Sequence, residues 1–267
     1  MSELVVRKAE SSRIERDFME RAILADSITK TAVPLRKLWD DLCSRKSRVV
    51  TSFNTGTRGF LVLSERPHAN SHVAPPPIDS RNVEILRRVM FGDAQKVAAS
   101  DLRLSPSSIN TFAGQALREM GLRCVPTRVP VVIVMAAHAH YREIDSLVAR
   151  QSLVEATDCV QRVLSVPLPD PSDLTLLSIA ERSIVGLLLD RRSNAEIARL
   201  RATSPRTVAN QLASVMHKLQ VGGRCGVVHW LVTKASRRAH QIDVGSEPTR
   251  TTFETDANLG GNVSSWA

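Results

Sequence analysis

The chain has 267 residues, 43% of them hydrophobic but only 4% aromatic, with a formal charge of +9 and a pI near 10.0. That length suits one large domain or two small ones, and the apolar content excludes a chain that is disordered throughout. Cores assembled from Leu, Val, Ile and Ala favour helix packing over a β-sandwich, and the basic excess points to a polyanionic partner.

Taken in chain order, the opening MSELVVRKAESSRIERDF scatters charge through its length, unlike a signal peptide. Glu10 to Asp26 sets Ile14, Phe18, Ile23 and Leu24 at helical spacing, and Pro34 to Cys43 does the same with Leu35, Leu38, Trp39 and Leu42. Both read as packing helices in preference to dimerisation helices. Arg48 to Phe53 and Gly59 to Leu63 are β-branched and apolar segments around Asn54-Thr55-Gly56-Thr57, a hairpin signal that closes an N-terminal region of residues 1–73. His72 to Pro77, with three consecutive prolines, reads as a linker.

Residues 78–141 are helical in pattern, and 142–173 form a connector in which Ser152 to Glu155 and Val160 to Val166 bracket Ala156-Thr157-Asp158 as a second hairpin signal. The two hairpins could pair into one sheet. The longest apolar run, Val129 to Ala137, is interrupted by Pro130 and is far short of the roughly 18 residues a membrane helix needs. Pro167-Leu168-Pro169-Asp170-Pro171 is a second linker, and residues 241–267 are polar and unpatterned, as expected of a disordered tail.

Residues 174–240 carry the strongest signal. Leu174 to His240 holds 11 Lys/Arg against 3 Asp/Glu, so nearly all the excess charge lies here. Four helical patterns follow in about 55 residues. Ala180 to Leu189 buries Ile184, Val185, Leu187 and Leu188; Asn194 to about Arg201 starts on Ser193, with Glu196 completing a capping box. Ser204-Pro205 restarts the chain for a third helix, Pro205 to Leu219, whose inward stripe is Val208, Leu212, Val215 and Leu219. Its other face carries Arg206, Thr207, Asn210, Gln211, Ser214 and Lys218, side chains able to read base edges or grip phosphates. Ser193, Asn194, Thr203 and Ser204 sit at helix starts, where backbone amides bind phosphate.

SNAEIA, TSPRTVANQ and KLQVGGR, within the segment Leu177 to Val232, resemble the pattern of LuxR/FixJ/NarL-type helix-turn-helix domains. The resemblance implies that the third helix enters the major groove of duplex DNA and that the fourth, about Arg224 to Ala235, supplies a dimer contact. It also implies a bacterial, cytoplasmic, sequence-specific transcription regulator without a cofactor. Its DNA-facing positions are then Arg206, Thr207, Asn210, Gln211 and Lys218. A homodimer, RNA polymerase or another regulator are the protein partners it admits. Three positions depart from the family pattern: Arg191 replaces a usual glycine, Arg201 a usual leucine, and Gln211 a usual histidine or other polar residue. Arg201 would loosen the packing unless its stem snorkels and carries its charge to the DNA face.

Sliding the chain by 99 residues places Ser105-Pro106-Ser107-Ser108-Ile109 under Ser204-Pro205-Arg206-Thr207-Val208. Ile85, Leu86 and Val89 then fall under Ile184, Val185 and Leu188, and Gly92, Leu102 and Gly121 restore residues of the family pattern that the downstream segment lacks. Ile78 to about His140 therefore reads as a second, divergent LuxR-like copy. The outer face of its third helix, Pro106 to Met120, carries Ser107, Ser108, Asn110, Thr111 and Gln115, which are polar but uncharged. Either this copy reads DNA as the junior partner, or it is a dimerisation or partner-binding module. The expected fold is mainly α, with two tandem four-helix helix-turn-helix domains, each with a β-hairpin signal ahead of it.

The four cysteines show no CxxC pair, and no metal or disulfide spacing, which suits reduced thiols. His68, His72, His138 and His140 lack ligand partners in sequence, and no GxGxxG, GxxxxGK, GxSxG or HExxH occurs, so neither a catalytic site nor a metal or cofactor site is expected. Residues 1–73 fit neither a phosphoacceptor receiver nor an acyl-homoserine-lactone domain, which leaves the input signal unassigned. No segment for promoter melting accompanies the motif, which argues against a sigma-factor-like subunit. The rival reading is a protein-interaction module or co-regulator built from degenerate helix-turn-helix units.

Overall fold

The computed structural model describes residues 2–65, 75–155 and 160–244, and side chains within them except at 2–14, 173 and 238–244. The turn expected at Ala156 to Asp158, the first half of the first linker and residues 245–267 of the expected tail lie outside the described residues.

Short-range chemistry sets the helix boundaries. The chain begins with α1 (Ser2–Ile28), longer at both ends than its apolar spacing suggests, followed by α2 (Leu35–Cys43). Asp79 caps α3 (Ser80–Phe91) by accepting from the Arg81 amide at 2.8 Å, and Gly92 closes it in the left-handed region. After the short α4 (Gln95–Asp101), Ser105 and Pro106 start α5 (Pro106–Glu119). Downstream, α7 (Ile179–Leu189) and α8 (Asn194–Leu200) each open on a capping box, Ser178 with Glu181 and Ser193 with Glu196. Ser204 and Pro205 start α9 (Pro205–Leu219), and α10 (Gly223–Val244) runs well past the expected end near Ala235.

The broken apolar run becomes α6 (Val131–Tyr141), with Pro130 at its N-cap. Every residue from Val131 to Ala139 is buried, as befits a helix apolar on all sides. It packs chiefly against α2 and α10 and less against β3 and α3.

Helices dominate, as expected, and the two hairpins expected from the sequence pair into one sheet that a short further strand extends. Among the described residues, five strands form a single antiparallel sheet: β1 (Ala32–Pro34), β2 (Ser47–Asn54), β3 (Arg58–Glu65), β4 (Val148–Glu155) and β5 (Val160–Pro167), in the order β1-β4-β5-β3-β2. The two hairpins are joined edge to edge by β3 and β5, with Leu61 opposite Leu164 and Val62 opposite Val163. Hydrogen bonding drives the join, since an isolated two-stranded hairpin leaves rows of unpaired amides and is marginal alone. The connector therefore contributes two strands of the central sheet.

Side-chain alternation gives the sheet two buried faces. Phe60, Val62, Val154 and Val163 pack with Ala22, Phe18 and Ala25 of α1, and Phe53 stacks on Phe60 across the β2/β3 pair at 4.8 Å between ring centroids. Leu61, Leu63, Leu164, Val166 and Ala149 face the other way, into one continuous core with α2, α6 and the downstream helices. Asp26 of α1 is buried, 3.1 Å from the Arg58 guanidinium, and accepts from the Ser165 hydroxyl.

The helices α3, α4 and α5 begin 99 residues before α7, α8 and α9. Left-handed backbone recurs at the same interval: Gly92 with Arg191, Arg103 with Ala202, and Gly121 with Gln220. At two of these places only glycine fits. A Cβ on Gly92 would lie 2.4 Å from the Gly226 Cα of α10, and one on Gly121 would lie 2.3 Å from the Val49 carbonyl oxygen of β2.

Candidate nucleic-acid interface

The turn between α8 and α9 decides what α9 can show to solvent. The Thr203 amide donates to the Ala198 carbonyl at 2.9 Å, and the Ser204 hydroxyl accepts from the Thr207 amide at 3.0 Å. Val208, Leu212, Val215 and Leu219 are buried, as their spacing predicts, so the opposite side of α9 is turned outward. Arg206, Thr207 and Asn210 are exposed on that side, with Ser204 exposed at its start. Residues 175–231, which span α7 to α9 and the first part of α10, match a known family, described as GerE: bacterial regulatory proteins, luxR family. The matched helix-turn-helix covers about a fifth of the chain. Comparison with curated proteins and with solved structures finds no match.

Within this luxR-type unit the ten residues singled out from sequence divide into groups. Ser193 and Asn194 are half-buried at the start of α8. The Ser193 hydroxyl accepts from the Glu196 amide at 3.2 Å, while the Glu196 carboxylate accepts from the Ser193 amide at 2.8 Å. The Ser193 hydroxyl also donates to Glu196 Oε2 at 2.6 Å, and this bond, with that from the Ser193 amide, holds the Glu196 carboxyl below its ordinary range. Asn194 accepts through Oδ1 from the Arg224 guanidinium, which also donates to the Arg192 carbonyl, so α10 is tied to the start of α8. Thr203, half-buried, and Ser204 form the turn, while Arg206, Thr207 and Asn210 face solvent.

Gln211 is half-buried, and its Oε1 accepts from Arg201 Nη1 at 3.0 Å. The departure at Arg201 thus resolves as snorkelling: the guanidinium reaches over to the outer side of α9. Ser214 and Lys218 are placed differently. The Ser214 hydroxyl donates to Glu181 Oε1 at 2.7 Å and Lys218 Nζ to Glu181 Oε2 at 2.8 Å. Glu181 is 6% exposed and completes the capping box of α7 by accepting from the Ser178 amide at 2.8 Å. The Lys218 ammonium, with the Ser178 and Ser214 donors, holds its carboxyl down to about 2. One carboxylate therefore starts α7 and locks it to α9, a role the sequence reading missed although Ser178-x-x-Glu181 is a legible capping box.

Arg191 sits in the left-handed region at φ 61°, a conformation that costs a residue with a Cβ roughly 1–2 kcal/mol and glycine almost nothing. Its guanidinium donates to the Ser52 hydroxyl at 3.0 Å and the Ser52 carbonyl at 2.9 Å, which ties the end of α7 to β2. Nearby, Asn54 Nδ2 donates to the Leu189 carbonyl at 2.9 Å. The luxR-type helices are thus bolted to the first hairpin.

On α5 the exposed outer residues are Ser107, Asn110, Thr111 and Gln115, all uncharged, and Arg118 in the last turn, with Ser108 half-buried. Gly114 is buried and so belongs to the packed side of that helix. Among the described residues no group of three or more His, Cys, Asp or Glu could hold a metal ion, and no helix is long and apolar enough to cross a membrane.

Proposed function

We propose that this chain is a transcription regulator that binds specific duplex DNA through α9, with Arg206, Thr207, Asn210 and Gln211 directed at the major groove. The observation that carries this reading is the outward face of α9 within a luxR-type helix-turn-helix unit. The concentration of positive charge in that unit supports it, since neutralised phosphates release counterions. Ser193, Asn194, Thr203 and Ser204 hold the helix starts from which α8 and α9 meet the phosphate backbone. Ser214 and Lys218 act first on Glu181, and Lys218 reaches DNA only by leaving it. Regulation is by occupancy of a promoter in a bacterial cytoplasm.

The helices α3, α4 and α5 are a second, divergent copy of the same unit. The shared interval of 99 residues and the recurring left-handed positions support this. Its α5 face, with Arg118 as its exposed cation and otherwise uncharged, attracts phosphate weakly, which favours a role in contacting a protein, another copy of this chain or RNA polymerase, over reading DNA alone.

Selection of bound sequences from random duplexes at about 150 mM salt tests the proposal, using the full chain and the variant Arg206→Ala/Gln211→Ala. An enriched sequence that the variant no longer selects is expected. Equal recovery by both proteins, with no enriched sequence, would remove DNA from the reading and leave a protein-interaction module.

A further inference from the structure

Arg191, one of the three departures from the family pattern, borders a feature that the proposed DNA contact does not use. A half-open depression of about 600 Å³ lies between β2, the segment after α5 and the end of α7. Among the described residues, three arginines line it, Arg48, Arg123 and Arg191, together with Thr51, Ser52 and Ser64, and no aspartate or glutamate. Arg48 and Arg123 are exposed, and their side chains make no ion pair or hydrogen bond among the described residues. Arg191 is half-buried and fixed in direction by its two hydrogen bonds to Ser52. The nearest carboxylate on its own element, Asp190, accepts from Asn54 Nδ2 at 3.1 Å in the neighbouring depression. Glu119, at the end of α5, is paired with Arg45.

Three like charges around one concavity repel, and burial of the Arg191 guanidinium opposes its charge. A solvated basic surface needs neither the concave wall nor the strained backbone at Arg191. The β-bulge at Val50 in β2 and the glycine contact between Gly121 and Val49 bring the three arginines to one place. Guanidinium groups present forked donors that match phosphate oxygens, and hydroxyls complete such a shell.

We propose that this depression binds a phosphoryl group, with Arg191 as the preset donor and Arg48 and Arg123 closing on the anion. The phosphate belongs either to a free phosphorylated small molecule, which would make the site an effector site, or to the backbone of bound DNA. In both cases the depression lies where the first hairpin, the end of α5 and the luxR-type unit meet, so an anion there bridges the two halves of the chain.

Calorimetric titration of the full chain with inorganic phosphate, at ionic strength held constant with chloride, is the first test. Saturable binding of one phosphate per chain is expected, weakened at least tenfold in Arg48→Ala/Arg123→Ala, whose two sites are exposed and whose thermal midpoint should stay that of the parent. Arg206→Ala/Gln211→Ala should bind phosphate as the parent does, which separates this site from the proposed DNA contact. Tighter binding of adenosine monophosphate than of phosphate, with no effect of Arg48→Ala/Arg123→Ala on duplex affinity, assigns the site to a free ligand. Displacement of phosphate by a duplex of about 20 base pairs, with a tenfold loss of duplex affinity in that variant, assigns it to DNA. Absence of saturable phosphate binding, or equal binding by the parent and Arg48→Ala/Arg123→Ala, overturns the proposal.

Discussion

Arg206 stands in solvent at the second position of α9, and its worth lies in what it meets there. A single arginine reading a guanine edge contributes about 1–3 kcal/mol of discrimination. Arg206→Ala should therefore weaken binding to a selected duplex by roughly tenfold or more while leaving the thermal midpoint in place, as fluorescence anisotropy and calorimetry would show. Lys218, on the same helix, should behave in the opposite way. Removing it leaves the buried Glu181 carboxylate with fewer donors, and because Lys218 itself is 40% exposed the cost is tempered to about 1–2 kcal/mol of stability. A Glu181 carboxyl held at about 2, below its ordinary 4.5, contributes stability that is complete above about pH 4.5 and is lost as pH falls toward 2. Glu181→Gln should flatten the urea midpoint against pH across that interval, and an unchanged slope there would mean that Glu181 is not the group responsible.

At the level of elements, the contact between the end of α3 and the start of α10 is backbone on backbone. Gly92→Ala must push a Cβ into Gly226 at a left-handed φ, and a loss of about 2–4 kcal/mol is expected. Gly56→Ala, where nothing lies within 4 Å, should stay within about 0.5 kcal/mol of the parent by the same denaturation measurement. The same junction carries a pair of imidazoles: His138 Nδ1 of α6 lies 3.2 Å from His229 Nε2 of α10, and Phe91 of α3 stacks on His229 at 4.0 Å between ring centroids. Burial, reinforced by Arg142 and other neighbouring cations, pushes both rings from 6.5 down to about 4. The unfolded chain then takes up protons that the folded chain refuses, so stability is full above about pH 6.5 and falls as pH drops toward 4. Replacing His138 and His229 together by glutamine should remove that fall, whatever it does to stability at pH 8.

For the whole molecule, the charge distribution makes a prediction that no single contact does. If the luxR-type unit grips DNA through about 4–6 phosphates, the affinity should fall with salt at a logarithmic slope of about −4 to −5. Binding that ignores salt between 50 and 300 mM, measured on a selected duplex, would contradict the proposed interface. The sheet adds a mechanical consequence. Because β3 and β5 join the hairpins and Arg191 ties α7 to β2, a ligand or partner that shifts the first hairpin also moves α7 and, through Glu181, α9.

The local layer of this architecture was legible in the residues themselves. Ser193 with Glu196, Ser204 with Pro205, and the stripe from Val208 to Leu219 determined α8, α9 and the side of α9 that is buried, because caps and helical periodicity act over three or four residues. The 99-residue interval was readable for the same reason, since it is a pattern of caps and apolar spacing. What only the tertiary structure decided involves partners distant in sequence. Leu61 meets Leu164 in one sheet; Ser214 and Lys218 reach Glu181; Arg201 reaches Gln211; and Arg48, Arg123 and Arg191 gather around one depression. Period-2 and period-3.6 patterns specify which face of an element is apolar, but not which other face it meets, and the destination of a long charged side chain depends on where the nearest buried acceptor comes to rest.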